Sequence, residues 1–231
     1  MKKDSFIKSS IGRKVIMALT GAALAGFVIV HMLGNLQIFL GPEALNSYAE
    51  HLEELTMLLW PARIFLLIAL MVHIFVALSL AIENKKARPI VYQSQNTVQA
   101  SYASRTMVFS GLIIFAFIVY HLLHFTFKFT NPGISNLVDA KGRDDVYSMV
   151  VLSFQSVQIT TAYIISMVLL CYHLSHGLPS LFQSLGLSGV KCDALLKKIG
   201  KGIALVIFIG NCSIPLAAYL HFLNVPKGAA G

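Results

Sequence analysis

This sequence of 231 residues is short of charged side chains and of cysteine, and both shortages exclude classes of function. Charged residues make up 12% of the chain, roughly half the share usual in soluble domains. The cysteines form no C-x-x-C pair, and an iron–sulfur cluster normally needs four cysteine thiolates; the three present are Cys171, Cys192 and Cys212. No glycine-rich phosphate loop, nucleophile elbow or zinc-binding spacing occurs. Any redox chemistry therefore depends on a cofactor bound by other side chains.

Long apolar runs dominate what the sequence does contain. Hydrophobic residues make up 56% of the chain, and the mean hydropathy is +0.73. Five runs lie at about 15–40, 58–82, 106–127, 150–177 and 203–223. Each reaches the ~20 residues that an α-helix needs to cross ~30 Å of hydrocarbon. The first is too long for a signal peptide and no small-residue cleavage site follows it. The sequence predicts an all-α integral membrane bundle of five transmembrane helices, in a single domain over residues 1–231.

The loops between these runs differ in charge, and the difference predicts their sides of the membrane. Basic residues are concentrated at the N-terminus, in the second loop and in the fourth: Lys2, Lys3, Lys8, Arg13, Lys14; Lys85, Lys86, Arg88, Arg105; Lys191, Lys197, Lys198, Lys201. The first loop is acidic and the third is balanced. The positive-inside rule then places the N-terminus in the cytoplasm and the C-terminus outside. Because the basic clusters are short, separate and tied to helix ends, the net charge of +8 does not indicate nucleic-acid binding.

Four of the eight histidines lie late in four separate apolar runs: His31, His73, His121 and His173. Ionisable side chains at that depth are costly and mark functional sites. Runs one and three cross outward and runs two and four inward, so His31 and His121 share the outer half of the membrane. By the same argument His73 and His173 share the inner half. Imidazoles from facing helices at two levels are typical of a cytochrome b with two haems.

Other residues on these runs are candidates for the same site. His124 and His176 lie three residues after His121 and His173 on the same helix face, and spacing alone favours the first of each pair only modestly. His51 and His221 lie near the outer surface. A flat porphyrin needs small residues where it contacts a helix, and these occur at Gly21, Gly26, Gly34, Gly111 and Gly177. Polar residues near helix ends that are able to meet haem propionates are Thr20, Arg63, Arg105 and Lys128.

Three segments resemble the single-chain cytochrome b subunit of succinate dehydrogenase and fumarate reductase. They read FVIVHMLGN at 27–35, GPEALNSYAEH at 41–51, and YHLSHGL at 172–178 continuing to QSLG at 183–186. The similarity extends over nearly the whole chain, including the five helices and the order of the four histidines. The family pattern favours the histidine after an aromatic residue, His121, and the first histidine of the His-Leu-Ser-His pair, His173.

The resemblance implies a membrane anchor in the bacterial cytoplasmic membrane, with two haem b groups and a quinone site for a menaquinone-type quinone. His31 and His121 would bind the outer haem, and His73 and His173 the inner haem. An FAD-containing flavoprotein and an iron–sulfur subunit would dock on the cytoplasmic face and carry the dicarboxylate chemistry of a succinate:quinone oxidoreductase. A dimer of heterotrimers is a further expectation. The docking surface is expected at 83–105, 178–201 and the N-terminal basic segment.

A quinone that takes two electrons also takes two protons, and a bilayer core offers none. The titratable groups nearest the outer haem in sequence are in the first loop: Glu50, His51, Glu53 and Glu54. These four are our candidates for the quinone and proton site. The acids of the third loop are less suitable, because nearby cations balance Asp139, Asp144 and Asp145.

Two alternatives use the same histidines differently. One is a transporter that relays protons or metal ions, but such proteins usually contain repeated halves and helices broken at the midplane, and Pro215 is the only proline well inside a run. The other is a cytochrome b subunit of a hydrogenase or formate dehydrogenase, which differs in partner and electron donor. Only the resemblance at 41–51 argues against the second.

Overall fold

The computed structural model describes residues 9–86, 102–189 and 191–226. Within these ranges the chain forms eight α-helices and no β-strand: α1 (Ser10–Asn35), α2 (Pro42–Glu54), α3 (Thr56–Lys86), α4 (Tyr102–His121), α5 (Pro132–Ser135), α6 (Val146–Phe154), α7 (Val157–Ser184) and α8 (Asp193–Tyr219). Five of them, α1, α3, α4, α7 and α8, are long and apolar enough to cross a membrane. The predicted all-α, five-helix membrane bundle is confirmed. Lys2, Lys3, Lys8, Arg88 and the side chain of Arg105 lie outside the described residues.

The fourth predicted helix, 150–177, is wrong at both ends, because α7 continues to Ser184 and its start is later than predicted. The helix is interrupted at Gln155 and Ser156, so the short helix α6 ends at Phe154 and the spanning helix α7 begins at Val157. Ser156 has an extended backbone, with φ −77° and ψ 122°. The Thr160 hydroxyl donates to the Phe154 carbonyl over 2.7 Å and thereby satisfies an acceptor at the end of α6.

The fifth helix begins ten residues before the predicted start at 203. Asp193 lies in its first turn, where a carboxylate is favoured by the helix dipole, and pairs with Lys197 at 2.6 Å. The lysines at 197, 198 and 201 therefore belong to α8 and not to a loop. With these boundaries Pro61, Pro179 and Pro215 all lie inside helices but within about two turns of an end. Pro215 is thus not the only helical proline, and none of the three breaks a helix at its midplane.

The acidic first loop contains a helix that we did not predict, α2. Gly41 precedes it with φ +104°, a conformation that favours glycine, and Pro42 occupies its first turn. Leu45 and Asn46 face inward and are buried, whereas Glu43, His51 and the other acids are exposed. This amphipathic helix packs against α6, and the two cover one end of the bundle. Charge distribution predicts that this end, here called the outer end, faces away from the cytoplasm.

The spanning helices pack as two pairs joined through α1 and α7. Helix α1 packs on α3, α4 packs on α7, and α1 also contacts α7. Helix α8 packs mainly along α7, where Gly200 lets it approach Pro179 closely. One apolar cluster at the outer end includes Ile38, Leu45, Tyr147, Val151, Phe154, Tyr163, Ile214, Ala218 and Leu223. A second holds α1, α7 and α8 together through Ala25, Met32, Leu174, Ala204 and Ile207.

Ion pairs tie the helix ends together. At the inner end Arg13 of α1 pairs with Glu83 of α3. At the outer end one guanidinium, that of Arg143, contacts Asp139 at 2.7 Å, Glu43 at 2.8 Å and Glu50 at 3.5 Å. It therefore links α2 to the loop before α6.

Candidate functional site

The four membrane-embedded histidines lie in two pairs. The ring centres of His31 and His121 are 5.7 Å apart, with the planes at 89°. Those of His73 and His173 are 6.5 Å apart, with the planes at 62°. Depth along the apolar runs predicted the same two pairs. The role of these histidines as ligands stays a prediction. Thr20, which contacts His73, lies eleven residues before His31 on α1, so the two levels are about 16 Å apart along the helix.

Each histidine of the inner pair is held by a hydroxyl of the neighbouring helix. Thr20 Oγ1 lies 3.0 Å from His73 Nδ1, and Ser110 Oγ lies 3.2 Å from His173 Nδ1. Both hydroxyls also donate to backbone carbonyls of their own helices, those of Ile16 and Met107, at 2.8 Å and 3.1 Å. A hydroxyl has one proton, so each oxygen accepts the Nδ1–H of its histidine. Nε2 of both rings then keeps its lone pair, the form that binds a metal ion.

A glycine follows each of these hydroxyl residues and lets the histidine ring approach. A Cβ on Gly21 would lie 3.2 Å from His73 Cε1, and one on Gly111 would lie 3.4 Å from His173 Cε1. On α1 and on α4 the same pattern therefore recurs: a hydroxyl residue, a glycine, nine residues and a histidine of the outer pair. The sequence contains this repeat, which was the available signal for Ser110 and for the contact between Thr20 and His73. A contact of Thr20 with a propionate stays a prediction.

The outer pair has a different environment. The amide nitrogen of Asn35 lies 3.0 Å from His31 Nε2, one turn further along α1. His121 Nδ1 lies 3.3 Å from the Tyr163 hydroxyl, which is also 3.1 Å from His124 Nδ1. Immediately after His121 the helix widens into a π-turn, Leu122–Thr126, which contains His124; such turns are frequent at functional sites.

The geometry distinguishes the competing histidines. His124 is 1% exposed, and both its ring nitrogens are engaged, Nδ1 by Tyr163 and Nε2 by Ser153 at 3.1 Å. It therefore has no nitrogen available for a metal ion, whereas Nε2 of His121 takes no part in these bonds. His176 Nε2 lies 3.2 Å from Ser180 Oγ on its own helix, and His176 is not paired with His73.

The donor set fits a metal held in a macrocycle. Two imidazoles bound to one metal ion through bonds of about 2 Å place their ring centres about 6 Å apart, close to the separations of both pairs. Among the described residues no group of three or more His, Cys, Asp or Glu side chains is placed to hold a metal ion. A pair of histidines would suit a metal whose other ligands come from a cofactor, as in haem, and the cofactor itself stays a prediction.

The remaining candidate residues are dispersed. A Cβ on Gly34 would meet Tyr48 of α2, so Gly34 permits helix packing, and Cβ atoms on Gly26 and Gly177 would meet none of the described atoms within 4 Å. Lys128 pairs with Asp144 at 2.6 Å, and the Arg63 guanidinium lies 5.4 Å from the centre of the Trp60 ring.

The acids at the outer end also separate into two groups. Glu43 is paired with Lys141 at 2.6 Å as well as with Arg143, and these hydrogen bonds hold the pKa of Glu43 below its ordinary value. Glu50 contacts Arg143 too, whereas Glu53 and Glu54 are exposed and His51 lies 3.9 Å from Glu54. In the third loop Asp139 and Asp144 are matched by cations as predicted. Asp145 is not: it accepts from the Ser148 backbone and from Asn46 and caps α6.

Fold and site together define a multi-pass α-helical membrane protein with two pairs of facing histidines at different depths. No protein-family model, curated protein or solved structure matches this chain.

Proposed function

We propose that this protein is the membrane anchor and electron-transfer subunit of a succinate dehydrogenase or fumarate reductase complex. In this proposal it relays electrons between an iron–sulfur subunit and membrane quinone through two haem b groups. The observation that carries it is the arrangement of the four histidines in two facing pairs, with two rings held by hydroxyls so that Nε2 is available. The family resemblance of residues 27–51 and 172–186 supplies the particular complex. A bacterial cytoplasmic membrane is part of the same proposal.

The chain's own residues have three tasks at these sites. The four histidines would hold the two haems, and the hydroxyls of Thr20 and Ser110 fix the orientation and tautomer of the inner pair. Gly21 and Gly111 let those rings lie close to the helices. When bound, the haem would supply one-electron transfer. For His31 to bind through Nε2, the amide of Asn35 must rotate away from the ring.

The inner end offers the docking surface for the soluble subunits. Exposed cations of three helices and a loop lie there: Lys14, Lys85, Lys86, Lys191, Lys197, Lys198 and Lys201. The Arg13–Glu83 pair brings the start of α1 next to the end of α3, which makes their exposed cations neighbours. Such a surface is complementary to an acidic partner. Much of the predicted segment 83–105 lies outside the described residues.

One purification tests the proposal. The complex isolated through a tag on this chain should contain a flavoprotein and an iron–sulfur protein, and its reduced-minus-oxidised spectrum should be that of haem b. Lysine crosslinks from the iron–sulfur subunit should map to the inner-end cations. A spectrum without haem would favour the transporter, and a hydrogenase or formate dehydrogenase partner would favour the other cytochrome. Crosslinks to 43–54 or 139–145 would overturn the docking site and the topology.

Quinone reduction is proposed at the outer end, with Glu53 or Glu54 as the proton-exchanging group. Each quinone takes two electrons and two protons, so a titratable side chain must reach it. Glu50 is the weaker candidate because Arg143 contacts its carboxylate. His51 is exposed beside Glu54 and is placed to exchange protons with it.

Glutamine substitution tests this assignment, since it keeps the side chain's size and removes its proton exchange. Glu53→Gln or Glu54→Gln should keep both haems and lower quinone-linked turnover about 100-fold or more, the scale of general acid–base effects. Glu50→Gln is the matched control on the same helix and should have the smaller effect. Full activity in all three variants would contradict an outer site that uses these acids.

A further inference from the structure

A buried polar cluster lies beside the outer histidine pair and is not part of the ligand set. It consists of His124 in the π-turn, Tyr163 on α7 and Ser153 on α6. His124 and Ser153 are each 1% exposed and Tyr163 is 7% exposed. Aromatic rings surround it: Phe125 stacks on His124 with ring centres 4.0 Å apart, and Phe154 contacts Tyr163 at 4.9 Å. Polar groups buried in this way are costly unless their hydrogen bonds are satisfied.

The direction of the hydrogen bonds follows from the serine. The Ser153 hydroxyl donates its single proton to the Met149 carbonyl over 2.7 Å. Its oxygen, 3.1 Å from His124 Nε2, must therefore accept a proton from that nitrogen. A neutral imidazole, which burial among aromatic rings favours, has only one N–H. His124 is thus protonated on Nε2 and accepts on Nδ1.

The Tyr163 hydroxyl connects His124 to His121 and sets the proton position on His121. His124 Nδ1 accepts the Tyr163 hydroxyl proton over 3.1 Å, so the tyrosine oxygen is left as an acceptor. The other ring nitrogen beside that oxygen is His121 Nδ1, 3.3 Å away. Its N–H must therefore donate to the tyrosine oxygen. His121 therefore carries its proton on Nδ1, and Nε2 keeps its lone pair.

We infer that Ser153, His124 and Tyr163 form a directed hydrogen-bond chain that fixes His121 in the Nδ1–H tautomer and presents its Nε2 to the outer haem iron. The three are positioning residues, and the inference rests on the proposed function. It assigns to the outer level what Thr20 and Ser110 do directly at the inner level. Donation from Nδ1 to an oxygen makes Nε2 a stronger ligand and favours the oxidised iron.

Redox titration of the purified complex tests the role of the chain. Tyr163→Phe removes the central hydroxyl and should raise the ferrous-to-ferric ratio of the outer haem several-fold at fixed potential, leaving the inner haem unchanged. Ser153→Ala should act in the same direction with a smaller shift. The matched control is Tyr120→Phe, because Tyr120 contacts both His124 and Tyr163 through its ring but its hydroxyl is not in the chain; it should shift neither haem. An unchanged outer haem in Tyr163→Phe, or equal shifts of both haems, would overturn the inference.

A second measurement keeps the inference separate from the proposed function. The ¹⁵N spectrum of histidine-labelled full-length protein distinguishes the two tautomers without reference to activity. We expect Nδ1–H at His121 and Nε2–H at His124, and loss of the first assignment in Tyr163→Phe. If that variant does not fold, Ser153→Ala tests the chain instead, and His124 should then no longer be restricted to the Nε2–H tautomer. An Nε2–H tautomer at His121 would refute the chain whether or not haem is bound, while absence of haem with both expected tautomers would refute only the proposed function.

Discussion

Hydrogen bonds of single polar atoms distinguish two neighbouring histidines, His121 and His124. The two are three residues apart and nearly equivalent by spacing. The His124 ring is hydrogen-bonded on both nitrogens, whereas the His121 ring is hydrogen-bonded on Nδ1 alone. At the inner level Thr20 and Ser110 set the same tautomer in one step. These contacts therefore distinguish His121 from His124 as a candidate ligand, and they distinguish the two histidine pairs from each other.

The contact between Gly21 and His73 gives a test with a matched glycine on α8 as its control. Gly21→Leu places a side chain where a Cβ alone would be 3.2 Å from the His73 ring, so it should displace the ring and remove the inner haem while the outer haem remains. Gly202→Leu on α8 adds the same side chain where a Cβ meets no described atom within 4 Å, on a helix that contributes no histidine to the pairs, and it should keep both haems. Haem content per chain and redox titration measure the outcome. Retention of both haems in Gly21→Leu would show that this contact does not position a ligand.

Among the elements, α2 and the loop before α6 depend on a single arginine. Hydrogen bonds from Arg143 and two backbone amides hold the pKa of Asp139 at about 2, below its ordinary 3.8, and Arg143 with Lys141 also lowers the pKa of Glu43. The same pairs raise the pKa of the guanidinium. A carboxylate whose pKa is depressed in the folded state stabilises that state above its unfolded pKa, and the contribution is lost as pH falls through the folded value.

We therefore expect the outer end to loosen between about pH 4.5 and 2. Arg143→Ala should increase hydrogen exchange in α2 at neutral pH and flatten its dependence on pH over that window. Arg63→Ala removes an arginine that contacts Trp60 and should leave the profile unchanged. The measurement is the protection of the α2 amides from pH 2 to 7, which is their exchange rate corrected for intrinsic exchange at each pH. If protection in Arg143→Ala depends on pH as steeply as in the unaltered protein, the ion-pair account is contradicted.

Sequence reasoning located the elements better than their ends. Five apolar runs predicted five spanning helices, because hydrophobic length is a local property. The break at Ser156 was missed although the polar residues Gln155, Ser156 and Gln158 interrupt the apolar run there, and α2 was missed although Gly41 and Pro42 mark its start. The Ser153–His124–Tyr163 chain joins side chains from three elements, so no spacing in the sequence could reveal it. The repeated hydroxyl–glycine pair of α1 and α4 is visible in the sequence and was a signal for the contacts of Thr20 and Ser110 with the inner histidines.

At the scale of the whole molecule, the bundle places two histidine pairs about 16 Å apart along its axis. Helices α1 and α3 form one unit and α4 and α7 the other, and each pair of histidines takes one ring from each unit. Helix α8 contributes no histidine to the pairs and instead packs along α7. In the proposed function, the bundle would hold two cofactors in series between a basic inner end and an acidic outer end.

The most direct test of this account is the haem content of four alanine variants, His31→Ala, His121→Ala, His73→Ala and His173→Ala, with redox titration to identify the haem that remains. The unaltered chain should bind two haems. His31→Ala and His121→Ala should each lose the same one, and His73→Ala and His173→Ala should each lose the other. Loss of one common haem by His31→Ala and His73→Ala would contradict the pairing, and two haems retained in all four variants would contradict the assignment of the ligands.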